Sequence, residues 1–202
     1  MVKSEKLHSL LKPCLHPHLV EAGCDEAVRR LARMLCLLFV VMVLPCSCIE
    51  EDEFVEDVVS VGDVLPEFSV VMNDGRIVTG AMLCTSPSVV MFFHTSCPDC
   101  QQMLPRVQRL YDEYASRGVP FVLVSRDEES TFVFAYWTKN GLSMPYSAQT
   151  DSRVYELFAR RGVPRIYVSD ATGVVRHIFT DDPLATVEEL FAAVADVLDA
   201  PN

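Results

Sequence analysis

Two cysteines separated by two residues are the side chains of this sequence best suited to chemistry. Cys97 and Cys100 lie in the stretch FFHTSCPDCQQMLP, residues 92–105, where an apolar run gives way to a polar, helix-like segment. Pro98 follows the first cysteine and suits the first position of a helix, where its missing N–H costs nothing. The motif therefore predicts a helix that begins at Pro98, with Cys97 at its N-terminus and Cys100 one turn inside it.

This arrangement favours redox chemistry. Free backbone N–H groups and the positive end of the helix dipole favour a thiolate at Cys97. Cys100 faces the same side of the helix, so the pair can open and close a disulfide with little rearrangement. We expect Cys97 to be the exposed nucleophile and Cys100 to be the shielded second thiol.

A metal clip and an inert staple are the other uses of such a pair. Structural zinc needs four ligands, usually two such pairs. Cys84 and His94 would complete a set on paper, but no pattern in the sequence brings them together. A disulfide that closes a two-residue loop constrains the unfolded chain little. We therefore expect a redox pair, with no metal and no dissociable cofactor.

From residue 61 onward, the segments around the motif alternate between strands and helices. Strands are predicted where apolar runs are bounded by turn residues, at 68–72, 76–80, 88–94 and 120–125, with two more in 165–179. Helices are predicted from apolar periodicity and end signals, from Pro98 to Gly118, at 128–139, from Asp151 to Arg161, and at 187–199, which the capping box TVEE opens.

The alternation predicts an α/β fold for residues 61–202. We expect a central mixed sheet with helices on both faces and an extra N-terminal β-hairpin, whose turn is NDG. With 202 residues, half of them apolar, the chain is long enough for one domain with a proper core. The net charge of −11 and the lack of a basic patch in the sequence argue against nucleic acid as a partner.

The stretch from about residue 62 to 200 resembles the thioredoxin-like family, in particular the membrane-tethered TlpA-type thiol:disulfide oxidoreductases. Three segments in order carry the resemblance: GDVLPEFSV at 62–70, FFHTSCPDCQQMLP at 92–105 and RRGVPRIYVSDATGVV at 160–175. The resemblance implies a cis peptide bond before Pro164, facing the two cysteines, and an inserted helix and strand at 127–150. It also implies client proteins with disulfides or thiols as substrates, and an envelope electron donor or acceptor.

The sequence departs from the family's usual site. Ser96 stands where a tryptophan is usual before the first cysteine, and Met91 and Met103 stand where relatives carry a buried acid. The sequence therefore does not identify the group that deprotonates Cys100. His94 is a candidate, since it is ionisable near neutral pH, although a half-buried histidine at a strand end is the plainer interpretation.

Two charged residues flank the motif. Asp99 suits a helix N-terminus, yet its charge disfavours a thiolate beside it. Arg165, next to Pro164, either offsets that charge or is a solvated cation at a strand end.

Two rival functions share parts of this pattern. A peroxiredoxin-like thiol peroxidase shares the fold and the early PEF, but it has threonine three residues before its reactive cysteine, where this chain has His94; Thr95 is one residue too late. A non-enzymatic copper-binding assembly factor with a thioredoxin fold would combine the cysteines with a distant histidine such as His177. Such factors usually have three residues between their cysteines.

The N-terminus has the features of an export signal. Three arginines precede the apolar run MLCLLFVVMVL, residues 34–44, which is too short to span a bilayer comfortably. We predict a signal region at 1–47 and a lipidated cysteine at Cys48, with Cys46 a weaker candidate and an unlipidated secretory cut as the alternative. Residues 1–27 fit no part of a signal, so translation is predicted to start at Val28.

An acidic segment follows Cys48. Six acidic residues fall within 50–57, which predicts a solvated tether over 48–60 rather than a packed element. The sequence thus predicts a lipoprotein of the cell envelope, held to a membrane by its lipid and facing the periplasm or the cell surface. An oxidising compartment favours a disulfide or dithiol in any close cysteine pair.

Overall fold

The computed structural model describes residues 57–199, together with Arg30, Leu31 and Arg33, which lie in a helical segment. The predictions for the signal segment, for lipidation at Cys48 and for a start at Val28 fall outside these residues. The chain divides into two compact units, Met1–Glu53 and Phe54–Asn202. All the elements named below belong to the second unit.

The strands and helices follow the predicted alternation. The strands are β1 (Ser69–Val71), β2 (Ile77–Thr79), β3 (Ser88–Phe93), β4 (Phe121–Ser125), β5 (Tyr146–Ser147), β6 (Arg165–Ser169) and β7 (Val175–Phe179). The helices are α1 (Gly80–Leu83), α2 (Pro98–Tyr114), α3 (Ser130–Asn140) and α4 (Val187–Asp199), with short 3-10 turns at Ala115–Arg117 and Tyr155–Leu157.

A mixed five-stranded sheet forms the centre, with the strand order β5-β4-β3-β6-β7. Strands β3, β4 and β5 are parallel, whereas β6 is antiparallel to β3 and to β7. Strands β1 and β2 form a separate antiparallel hairpin. The predicted mixed sheet and the extra N-terminal hairpin are therefore confirmed.

Side chains of β3 alternate between two apolar clusters. Val89, Met91 and Phe93 belong to a cluster that includes buried residues of α2, α3 and α4. Val90 and Phe92 belong to the other, which includes the hairpin, α1 and the 3-10 turn at Tyr155–Leu157. The sheet is thus covered on one face by the three longer helices, and on the other by the hairpin and two short helical pieces.

The antiparallel pairing of β3 with β6 places the site. Phe92, near the end of β3, is paired with Arg165, the first residue of β6. The connection that carries the two cysteines therefore begins beside Pro164, which precedes β6.

The short helix predicted from Asp151 to Arg161 is wrong: this segment consists of turns and a single 3-10 turn, Tyr155–Leu157. The Phe158 carbonyl accepts hydrogen bonds from the backbone N–H groups of Val58 and Val59, and Ala159 forms a β-bridge with Asp57. The segment keeps only isolated helical bonds, such as the one from the Glu156 N–H to the Ser152 carbonyl, and the long-range bonds to Phe158 are a competition that local sequence does not reveal.

The helix ends behave as predicted elsewhere. The 3-10 turn that extends α2 ends at Gly118, whose φ of 86° suits glycine. At the start of α4, the Thr186 N–H donates to Glu189 and the Glu189 N–H donates back to the Thr186 hydroxyl. This is the predicted capping box.

The domain begins earlier than residue 61. Asp57 bridges Ala159, and Val59 is buried in the second cluster, so the last residues assigned to the tether already pack on the domain. Within the described part of the chain, none of the helices has the length and apolar character needed to span a membrane.

Candidate active site

The turn between β3 and α2 presents Cys97. The Cys97 N–H donates to the His94 carbonyl at 3.0 Å, which closes a tight turn, and Cys97 is the N-cap of α2 with Pro98 as the first helical residue. Cys97 itself is half-buried. The sequence therefore predicted the place of this cysteine correctly.

Cys100 has a different environment. Its side chain is fully buried in the apolar cluster beneath α2, and burial raises the pKa of its thiol far above the ordinary range, with neighbouring Cys97 and Asp99 adding to the rise and the His94 N–H opposing it. Both cysteines are free thiols here. Cys97 is thus the more exposed of the two, and the expected order of their reactivity stays a prediction.

Pro164 faces this pair. The peptide bond between Val163 and Pro164 is cis, which confirms the expectation from the family resemblance. The Cys97 sulfur lies 3.3 Å from the Val163 carbonyl oxygen. Two segments far apart in sequence thus meet at Cys97.

The positions of the family's buried acid hold apolar side chains. Met91 and Met103 are both fully buried in the cluster that contains Cys100. A carboxylate does lie nearby, at a position that sequence reasoning missed: Glu128, which is 5% exposed, accepts hydrogen bonds from the backbone N–H and the hydroxyl of Thr95. The signal was an acid three residues after β4, since parallel β3 and β4 end at the same edge of the sheet.

His94 lies at the end of β3, half-buried as expected. Its Nδ1 is 2.9 Å from the Ser96 hydroxyl and accepts a hydrogen bond from the Ser96 N–H at 3.2 Å. The same nitrogen is 3.9 Å from Glu128 Oε1. The imidazole thus bonds within the turn and faces a buried carboxylate.

The inserted helix α3 packs on the apolar cluster that contains Cys100. Burial raises the pKa of the Tyr136 phenol, and a negative charge on Cys100 would add to that rise. Trp137 packs against Phe93 at 5.0 Å between ring centroids, and its indole N–H donates to the Met144 carbonyl.

Other candidates stand apart from the pair. Arg165 is not a solvated cation: it is 1% exposed and forms an ion pair with Asp57. His177 pairs with Asp196 at 2.8 Å. Cys84 caps the C-terminus of α1, and its sulfur lies 3.5 Å from the Gly80 carbonyl oxygen.

Together, the fold and the site define a dithiol domain built on a mixed α/β sheet. Residues 61–178, more than half of the chain, match the AhpC/TSA family, and the protein belongs to that family. The fold is thioredoxin-like, as the structural relatives below establish.

The similar proteins have names that refer to thiol-disulfide chemistry. Thiol-disulfide oxidoreductase ResA of Halalkalibacterium halodurans is 27% identical over 89 residues, which cover 44% of this chain and 51% of ResA. A thioredoxin-family thiol:disulfide interchange protein from Chlorobium tepidum TLS matches with a TM-score of 0.60 and 26% identity, over 69% of this chain and 98% of that one. A thio-disulfide isomerase from Thermus thermophilus matches with a TM-score of 0.57 and 26% identity, over 71% and 100%.

The protein is thus a homologue of thiol-disulfide oxidoreductases. It spans about half the length of the curated ResA relative.

Proposed function

We propose that this protein is a thiol:disulfide oxidoreductase that exchanges disulfides with client proteins through Cys97 and Cys100. The observation that carries the proposal is the unequal exposure of the pair, with Cys97 half-buried at the start of α2 and Cys100 fully buried one turn inside it. A dithiol that presents one sulfur and hides the other reacts in a fixed order.

In the reducing direction, the Cys97 thiolate attacks one sulfur of a client disulfide. The Cys97–client bond forms, the client disulfide bond breaks, and the departing client sulfur takes up a proton. Cys100, once deprotonated, attacks the Cys97 sulfur and displaces the client's second sulfur as a thiol. The pair loses two electrons, and the client disulfide becomes two thiols. A dithiol donor in the envelope then reduces the pair; the reverse sequence oxidises clients.

Membership of the AhpC/TSA family supports a second candidate, a thiol peroxidase. In that reaction Cys97 would attack a peroxide oxygen to give a sulfenic acid and an alcohol or water, and Cys100 would condense with it and release water. The contacts of the turn favour disulfide exchange: the Thr95 hydroxyl is bonded to Glu128, and His94 occupies the place of the peroxidase threonine. A copper-binding function has no comparable support, since His177 is paired with Asp196.

The envelope is the proposed location. The support is the predicted signal region, the predicted lipidation at Cys48 and the acidic segment after it. Client proteins with disulfides or thiols, an envelope electron donor or acceptor, and a membrane reached through the lipid are the partners that follow.

Insulin reduction by dithiothreitol tests the proposal. The wild-type protein should accelerate precipitation of the insulin B chain, and the Cys97→Ser protein should not. A parallel assay with hydrogen peroxide follows thiol loss in the reduced protein. Peroxide turnover without insulin reduction would replace the oxidoreductase by the peroxidase, and inactivity in both assays would overturn both candidates.

A further inference from the structure

Glu128 is an ionisable residue bonded to the turn that precedes Cys97, and the proposed disulfide exchange gives it no role. Its side chain is 4% exposed, and a buried carboxylate is costly unless it is hydrogen-bonded. Its two oxygens accept from one residue: Oε2 from the Thr95 N–H at 3.0 Å, and Oε1 from the Thr95 hydroxyl. The carboxyl group is therefore held against the turn that leads to Cys97.

The conformation of the loop after β4 fixes the position of Glu128. Asp127 has a φ of 52°, in the left-handed region that residues other than glycine seldom adopt. Its side chain accepts from the Ser152 hydroxyl at 2.5 Å, and the Glu128 N–H donates to the Gln149 carbonyl at 2.9 Å. Contacts on both sides of the strained residue hold the loop, and such strain gathers at functional sites.

Thr95 connects Glu128 to both cysteines. It is buried and lies two residues before Cys97. Its carbonyl accepts from the Gln101 side chain at 2.8 Å, which ties the turn to the first turn of α2. The carbonyl of the residue before it, His94, accepts from the Cys97 N–H at 3.0 Å, and the His94 backbone opposes the rise in the pKa of the buried Cys100 thiol. A shift of Thr95 therefore moves the groups around both sulfurs.

We infer that Glu128 is a positioning residue for the Cys97–Cys100 pair, which fixes the 94–97 turn through Thr95 and sets the redox equilibrium of the pair by its buried negative charge. The inference rests on the proposed function and deepens it. Glu128 would thus be the acid of this site. It stands at a different position from the acids of related proteins, which Met91 and Met103 replace here.

Two substitutions distinguish the effect of the Glu128 charge from the effect of its hydrogen bonds to Thr95. Glu128→Gln keeps an oxygen that accepts from Thr95 but removes the charge, whereas Glu128→Ala removes both. A negative charge near a thiolate disfavours it, so its removal should stabilise the reduced pair and make it more oxidising. Glu129→Gln is the matched control, because it removes the same charge one residue along, from an exposed side chain.

The test measures the equilibrium of the purified protein with glutathione buffers, and the rate of iodoacetamide reaction at Cys97 against pH. For Glu128→Gln we expect the equilibrium constant to shift about tenfold toward the dithiol, which corresponds to about 30 mV, and the alkylation profile to move to lower pH. Glu128→Ala should also broaden the nuclear magnetic resonance signals of residues 94–97. Glu129→Gln should match the wild type in all three readouts.

The inference is overturned if Glu128→Gln and Glu129→Gln give the same equilibrium constant and the same alkylation profile. Should Glu128→Ala fail to fold, the glutamine variant alone decides, because thermal unfolding followed by circular dichroism shows whether it retains the fold. Failure of the proposed function has a different signature: the wild-type protein would then leave insulin intact, whereas the alkylation profiles would still report the effect of Glu128 on Cys97.

Discussion

The Cys97 sulfur and the Val163 carbonyl oxygen lie 3.3 Å apart, although 66 residues separate them in the chain. The contact exists because β3 and β6 are antiparallel neighbours, so that the end of one meets the start of the other. The site is therefore a junction of two connections on adjacent central strands, and its chemistry depends on both.

The two serine variants of the pair should differ in kind. Cys97→Ser should lower insulin reduction by about a hundredfold or more and trap no client. Cys100→Ser should still attack but not resolve, because the second thiol is missing, so mixed disulfides with clients should accumulate on a non-reducing gel. Cys84→Ser is the control and should behave like the wild type. Trapping by Cys97→Ser instead would reverse the assigned order of attack.

Alkylation should discriminate strongly between the two thiols. Because Cys100 is fully buried and its pKa is raised by burial, iodoacetamide at neutral pH should label Cys97 first, with Cys100 slower by about a hundredfold. Peptide mass mapping at successive times measures both rates. Equal labelling of the two cysteines in the folded protein would contradict the arrangement; in guanidinium chloride equal labelling is expected.

The raised pKa of Cys100 also predicts a pH dependence of stability. The unfolded thiol ionises near an ordinary pKa of about 8.5, whereas the folded one keeps its proton to higher pH. The stability that this group contributes is therefore complete below about pH 8 and is lost as the pH rises. Urea unfolding of the reduced protein should show a steeper alkaline loss than Cys100→Ala. Parallel curves for the two proteins would contradict the shift.

Trp137 should be a poor reporter of the redox state. Its ring is buried against Phe93 and Tyr146, and its N–H donates to the Met144 carbonyl. None of these contacts involves the sulfur of Cys97 or Cys100. We expect the emission intensity to change by less than about a fifth on reduction. The protein with both cysteines changed to serine corrects for the reductant. A several-fold change would mean that α3 moves when the disulfide opens.

Asp170 should matter for stability. Burial alone would raise its pKa, but hydrogen bonds from Thr172, Val174 and Arg176 outweigh this and lower it to about 2. The contribution is present above the unfolded pKa of about 4 and is lost as the pH falls through about 2. Asp170→Asn should cost about 2 kcal/mol near neutral pH, and the gap to the wild type should narrow below about pH 4 and close near pH 2.

Chemical denaturation at pH 7 and pH 3 measures that gap. Asp199→Asn, at an exposed position near the end of α4, is the control and should show little change at either pH. A gap for Asp170→Asn that is constant with pH would show that charge is not its origin.

Lipidation at Cys48 remains a prediction of the sequence. Mass spectrometry of the mature N-terminus should show an acylated cysteine at this position, and Cys48→Ser should release the protein from the membrane fraction. Cys46→Ser is the matched control and should stay membrane-bound. A free, unmodified N-terminus within residues 46–50 would leave plain secretion as the explanation.

The sequence predicts the framework well because local signals specify it. The turn NDG, the proline after Cys97 and the capping box at Thr186 each act within a few residues, and each feature is present. Burial of Cys100 followed from its place one turn into α2. These predictions needed only the periodicity of strands and helices and the chemistry of their ends.

The features that sequence reasoning missed depend on contacts across the fold. The segment after Asp151 is not helical because residues 57–59 bind its backbone from about 100 positions away. Glu128 was overlooked because no motif marks a carboxylate that becomes buried only when the ends of β3 and β4 meet. Arg165 was expected to be either an offset to the charge of Asp99 or a solvated cation, because nothing near it in sequence marks its partner. That partner, Asp57, lies far away in the chain.

That ion pair has a mechanical consequence. Asp57 is the first residue of the described domain and pairs both with Arg165, at the start of β6, and with the backbone of Ala159. A pull applied to the N-terminal side of Asp57 would therefore pass through the buried Arg165 to the strand whose preceding peptide touches Cys97. With the anchor proposed at Cys48, tension would reach the proposed redox site through this ion pair, whereas the C-terminal helix α4 would bear it only through the sheet.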